Sequence, residues 1–203
     1  MNKIVISLIF VSCICLCSCK NINKNSNAIS NSSNTTVQDT VYNENIQNVF
    51  FDTPFGASQE EVIKNFEKHG FLPIKLTSTD VLIHFNYIRG RNYSFGNMSW
   101  DMLDVGFNNG KFNNIYFINS SKDKATAFHN YESILSHVSA KYKMIEQIPQ
   151  DTTIYKMSIG LSKGNRFVFV FCSRYETIQE KIKIGTVLQY YDRNYDNEVS
   201  DEL

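Results

Sequence analysis

Apolar positions recur along this chain with two different periods, and the places where one gives way to the other mark out its elements. Between residues 58 and 69 the period is helical, with Val62, Ile63 and Phe66 on one face. Ser58 followed by Glu61 three residues later forms a capping box at the start. Lys68 and His69 sit in the last turn, where cations favour the helix dipole, and Gly70 supplies the left-handed residue beyond it. The spacing predicts a helix over about 58–69, with Phe71 folding back onto its last turn. Ahead of it, Ile46 to Phe51 is an apolar stretch closed by Asp52-Thr53-Pro54-Phe55-Gly56, and the domain is expected to open there.

Alternation comes next. Val81 to Tyr87 is rich in strand-forming residues, and Arg89-Gly90-Arg91-Asn92 reads as the turn of a hairpin. Leu103, Val105 and Phe107 alternate with Asp104 and Gly106, which predicts a half-buried strand. Asn109-Gly110 is the strongest short hairpin signal, because both residues tolerate the positive φ of a type I′ turn. The return strand is Phe112 to Ile118. A second, longer helix is predicted over about 122–143, capped by Ser120 or Ser121, with Ala125, Phe128, Tyr131, Leu135, Val138 and Tyr142 as its buried stripe. Strands at Ile154 to Leu161, Phe167 to Cys172 and Thr186 to Tyr191 complete the pattern. Hairpin-linked strands segregated from two helices specify an α+β domain, an antiparallel β-sheet with both helices packed on one face.

The leader has a different logic. Lys3 precedes an almost continuously apolar run from Ile4 to Val11, the shape of a secretory signal and too short for a helix that stays in the bilayer. The run ends Leu16-Cys17-Ser18-Cys19, which resembles the bacterial lipobox: a branched aliphatic three residues before an obligatory cysteine, with a small residue just before it. The resemblance implies a signal peptide over 1–18, cleavage before Cys19 and acylation of Cys19. Two or three acyl chains on one residue anchor stably, since each buried CH₂ contributes about 0.8 kcal/mol and a single chain is marginal. Lys20 and Asn21 follow without an acidic cluster, which by the sorting rules of such lipoproteins implies release to the outer membrane. N-x-[ST] matches such as Asn31-Ser32-Ser33 arise freely in a chain this rich in asparagine and serine.

Composition changes the picture in two places. Cys13, Cys15 and Cys17 leave with the signal peptide and Cys19 carries lipid, so Cys172 is the one thiol left and no internal disulfide is expected. The chain has 20 basic and 20 acidic residues, and loss of Lys3 leaves 19 against 20, a net charge of −1. Such a balance argues against a nucleic-acid binder or a polybasic membrane coat. Residues 19–45, mostly Asn, Ser, Thr and Lys without periodicity, read as a disordered tether of roughly 25–30 Å reach. Residues 46–191 form the single domain, and 192–203 an acidic flexible tail.

Two stretches resemble a known group. Phe55-Gly56-Ala57-Ser58-Gln59-Glu60-Glu61-Val62 is similar to the helix opening of the small SmpA/OmlA-type outer-membrane lipoproteins, and Leu103 to Lys111, with Trp100 ahead of it, to their strand and hairpin. That group shares its fold with β-lactamase-inhibitory proteins, which are binding modules. The resemblance therefore implies a non-catalytic domain that binds another envelope protein. The chain departs from the group in having one helix before the sheet and a long second helix, and no functional residue carries over.

The candidate chemistry is sparse. Cys172 with His84 would make a nucleophilic pair and hence an envelope enzyme, yet a lone cysteine ending a run of alternating Phe and Val reads first as a small buried hydrophobe. His129 and His137 lie eight apart on the long helix, which does not match the one-turn spacing of paired metal ligands, and Glu132 beside them reads as a surface residue. No cofactor motif is present. Tyr87, Arg89, Arg91 and Tyr93 place cations and aromatics at a turn and form the candidate interaction surface, against the plainer reading of a solvated turn. Trp100 reads as core, and Tyr190, Tyr191 and Tyr195 as a lesser aromatic patch. A pocket for a small apolar ligand between helix and sheet is the remaining alternative.

Overall fold

Strands whose apolar residues occupy both phases of the alternation must bury both faces, and here they build one large sheet. The computed structural model describes residues 42–176 and 182–196, all within the compact unit Val41–Leu203. The leader, Cys19, all but the end of the expected tether, and residues 197–203 of the expected tail lie outside the described residues. In chain order the elements are β1 (Tyr42–Asn43), β2 (Val49–Phe50), β3 (Thr53–Pro54), α1 (Gln59–Lys68), β4 (Phe71–Pro73), β5 (Leu82–Tyr87), β6 (Tyr93–Phe95) and β7 (Met98–Trp100). They continue with β8 (Met102–Asn108), β9 (Lys111–Ser121), α2 (Lys124–Ser139), β10 (Ile145–Gln147), β11 (Ile154–Ser162), β12 (Arg166–Glu176) and β13 (Ile182–Asp192), then a 3₁₀ turn at Arg193–Tyr195.

The domain is α+β. Nine strands form a sheet in the order β1-β11-β12-β13-β9-β8-β5-β4, with β10 also on β11. Every pairing in it is antiparallel except that of β1 with β11. Local chemistry accounts for the turns that set its register. Asn109 and Gly110 take φ of 50° and 71°, as a type I′ turn requires, and join β8 to β9 with Asn108 opposite Lys111. Asn165, at φ 59°, turns β11 into β12.

The first helix matches its sequence signals. The Ser58 hydroxyl accepts the Glu61 N–H at 3.3 Å, Gly70 takes φ 89° beyond the last turn, and Val62 and Phe66 are buried. The Phe71 ring returns to 6.3 Å from that of Phe66. The second helix departs from them. Its cap is Asp123, whose carboxylate accepts the Thr126 N–H at 2.8 Å, because Ser120 and Ser121 are taken up by β9. Its buried face is Ala127, Tyr131, Ile134 and Val138; Ala125 is exposed, and Tyr142 is buried beyond the helix end.

Three further expectations are corrected. Arg89 to Asn92 is not a hairpin turn: β5 pairs with β4 and β8, and the chain passes into a separate β6–β7 hairpin turned at Gly96 and Asn97. The strand at Leu103 is buried on both faces, Asp104 included. The ends of the domain also reach further than expected. Tyr42 and Asn43 already pair with β11, and Asn43 donates to Lys143 O and Leu161 O. Asp192 is buried and accepts from Arg166 Nε at 2.9 Å, while Asp196 accepts from Asn113 Nδ2 at 3.2 Å and from the Tyr191 hydroxyl.

Both helices lie on the same face. Register places Val170, Leu188, Phe117, Leu103 and Phe85 side by side, and Val168, Tyr190, Ile115, Val105 and Ile83 in the neighbouring row. The Phe66 ring of α1 sits 5.1 Å from Phe85. On α2, Ala127 O accepts the Thr186 hydroxyl at 2.8 Å and the Tyr131 hydroxyl meets Ser158 Oγ at 2.7 Å. The rings of Phe50, Phe95 and Trp100 close the same core around Phe117.

Candidate interaction face

The odd-numbered residues of β12 point away from both helices. Strand register continues them into three rows: Leu161, Phe167, Tyr191, Asn114, Gly106 and Leu82; then Ile159, Phe169, Gln189, Tyr116, Asp104 and His84; then Met157, Phe171, Val187, Ile118 and Met102. Ile118, Phe171 and Val187 are buried at the centre of a second hydrophobic cluster, ringed by half-buried Met102, Tyr116, Ile154, Met157 and Phe169. Every member of that cluster belongs to a strand of the sheet, so among the described residues no helix covers this face. Apolar sheet faces are ordinarily covered in a packed domain, and the members of this one are buried or half-buried.

One polar pair interrupts it. His84 Nδ1 and Asp104 Oδ1 are 2.8 Å apart, both largely shielded. The hydrogen bond that the imidazole donates to Asp104 holds it above its ordinary value of 6.5, against the opposing effect of burial. Tyr116, opposite Asp104, is pushed far above the usual phenol range by burial first and by that carboxylate second.

The residues singled out from sequence do not converge. Tyr93 is buried, its ring edge-on to Phe71 and its hydroxyl donating to Met102 O at 2.7 Å, which takes it off any surface. Tyr87 packs on Phe71 and Tyr93, while Arg89 and Arg91 are exposed. Cys172 is fully buried on the helix face, where burial pushes its thiol up to about 11. His84 is on the other side of the sheet with β13, β9 and β8 between their strands, so the two form no catalytic pair. His129 and His137 are exposed, and no group of three metal-ligating side chains occurs among the described residues. Trp100 is core, its indole N–H donating to Phe95 O at 3.0 Å. Tyr190 faces the helices and Tyr191 the opposite side, so they share no patch.

Two concavities among the described residues are shallow. One runs along the outer side of α1, and the other lies between α2 and β10–β11, with the Glu132–Lys156 ion pair in its lining. The sequence signal for the helix-free face was the unbroken run Phe167-Val168-Phe169-Val170-Phe171-Cys172. A strand with one wet face alternates apolar with polar, whereas this one alternates large apolar with small apolar. Its Val and Cys side chains enter the core and its Phe side chains form the second face.

The chain matches no protein-family model, no curated protein and no solved structure. Any functional reading therefore stands on the geometry of the molecule.

Proposed function

We propose that this protein is a non-catalytic binding module of the bacterial cell envelope, held at the outer membrane by lipid on Cys19, and that its helix-free sheet face engages another envelope protein. The observation that carries the reading is the breadth of that face: three rows of mainly apolar side chains with no helix over them among the described residues. Aromatic and methionine side chains such as Phe169, Tyr116 and Met157 are the types enriched in interface centres. Among the described residues no helix is long and apolar enough to cross a membrane. The competing thiol chemistry draws no support from the setting of Cys172, which is buried, has a raised pKa and stands on the opposite face from His84.

A photo-crosslinking residue placed at Phe169 in the full chain in intact cells tests this, with the same residue at Glu60 on α1 as comparison. The expected outcome is a discrete protein adduct from position 169 and none from position 60. Adducts from Arg89 or Arg91 alone would move the contact to the β5–β6 connection, and no adduct from any of these positions would sink the reading.

A further inference from the structure

The β4 edge of the sheet differs from its buried centre. Among the described residues seven large apolar side chains are exposed, and four of them, Leu72, Leu76, Val81 and Ile88, lie on the β4–β5 hairpin and its ends. Leu72 stands opposite Asn86, and Ile88, whose N–H donates to Gly70 O, continues the same side of the hairpin, that of His84. Leu76 lies in the turn beyond β4 and is 90% accessible. Three exposed cations bracket this row, with Lys75 beside Leu76 at one end and Arg89 and Arg91 after Ile88 at the other. Asp80 is the one acid between residues 70 and 92, and none of the three cations forms an ion pair among the described residues. A chain balanced overall thus gathers a local excess of positive charge around four exposed aliphatic side chains.

The backbone of this edge argues against another strand as its occupant. Ile74 N–H donates to His84 O and Gly70 O accepts from Ile88, so the even-numbered positions spend their backbone groups on β5. Phe71 and Pro73 are left to face outward, and proline has no N–H. Three residues with a single outward donor make a poor template for strand addition. The side chains argue against other protein surfaces, since all four are aliphatic whereas interface centres favour aromatic residues and under-represent Leu and Val. Aliphatic side chains bracketed by Lys and Arg fit an anionic phospholipid surface. Its acyl boundary takes the former, and each cation held near its headgroups strengthens binding roughly five-fold. The contact can be weak, because the proposed lipid on Cys19 already keeps the domain close to the bilayer.

We infer that the β4–β5 edge is a second, reversible membrane contact, seating Leu72, Leu76 and Ile88 in an anionic phospholipid surface with Lys75, Arg89 and Arg91 among its headgroups. The inference rests on the proposed membrane anchor and names the side of the domain that meets lipid. Phe169 on β12, five strand spacings or about 24 Å from β4, stays clear of that contact for a protein partner. In the test, a photo-crosslinking residue replaces Leu76 in the full chain in intact cells. The same residue at Ile148, 94% accessible and just beyond β10 at the far side of the sheet, serves as comparison. Phospholipid adducts, read by mass spectrometry, are expected from position 76 and not from position 148. Lys75→Glu/Arg89→Glu/Arg91→Glu in the same chain lowers them at least about ten-fold. Circular dichroism checks that this charge-reversed chain folds, and the comparison of positions 76 and 148 decides the matter without it. Equal lipid adducts from both positions would reflect the anchor alone and overturn the inference. An undiminished yield in the folded charge-reversed chain, or protein adducts alone from position 76, would do the same. Fractionation of the same cells separates the remaining failures: a chain recovered with membranes but giving no lipid adduct from position 76 loses this contact and keeps its anchor, whereas a chain absent from membranes loses both.

Discussion

His84 and Asp104 stand opposite each other on β5 and β8, and their pairing has a signed consequence for pH. The carboxylate raises the imidazole above 6.5, so the folded protein binds that proton more tightly than the unfolded chain does. The stabilisation is fully present below the ordinary imidazole value and fades as pH rises through the higher folded value. In urea titrations, the stability difference between the wild type and His84→Gln is therefore expected to shrink with rising pH across that window. A difference that stays flat would show that the pair does not titrate in the fold. Sequence offered both residues but coupled His84 to Cys172 instead. The parity of a position along its strand is legible, whereas which parity faces the core is fixed only when strands pair. Cys172 and His84 have like parity in number and opposite faces in space.

Elements were legible where backbone chemistry is local. The Ser58 cap, the glycine after α1 and the Asn109-Gly110 turn each depend on two or three adjacent residues, and each formed where the sequence put it. The start of α2 did not, since Ser120 could cap a helix but is held by β9, with its N–H donating to the Asp101 carboxylate at 3.1 Å. A strand pairing far along the chain outbid a local cap. The β6–β7 hairpin went unread for a similar reason, its turn having Gly-Asn order and only three residues on each side. These local devices carry measurable stability. Ser58→Ala should cost about 1 kcal/mol by removing the acceptor for Glu61 N–H. Gly110→Ala should cost a similar amount, about 1 kcal/mol, by forcing a side chain onto φ 71°, although nothing lies within 4 Å of the added methyl. Equal stability of Gly110→Ala and wild type in chemical denaturation would contradict a type I′ turn there.

At the scale of the molecule the sheet has one face packed by helices and one on which no helix lies among the described residues, and adjacent residues of a single strand should report the difference. Val170 is fully buried on the helix face, in register with Leu188 and Phe117. Val170→Glu would bury an unpaired carboxylate in a packed core, a change that typically costs more than about 4 kcal/mol, and the domain should fail to fold. Phe169, one residue earlier, is half-buried on the other face, where a carboxylate can turn toward solvent. Phe169→Glu gives up part of one ring's packing, about 1–2 kcal/mol, and should leave a cooperative thermal transition in place. The contrast tests the architecture independently of any partner, since it needs only the purified chain and a melting curve. It also bears on function. A face that tolerates charge is free to meet another surface, whereas one that unfolds the domain when charged is interior. If Phe169→Glu proves as damaging as Val170→Glu, the second face is part of the core, and the binding role proposed for it falls.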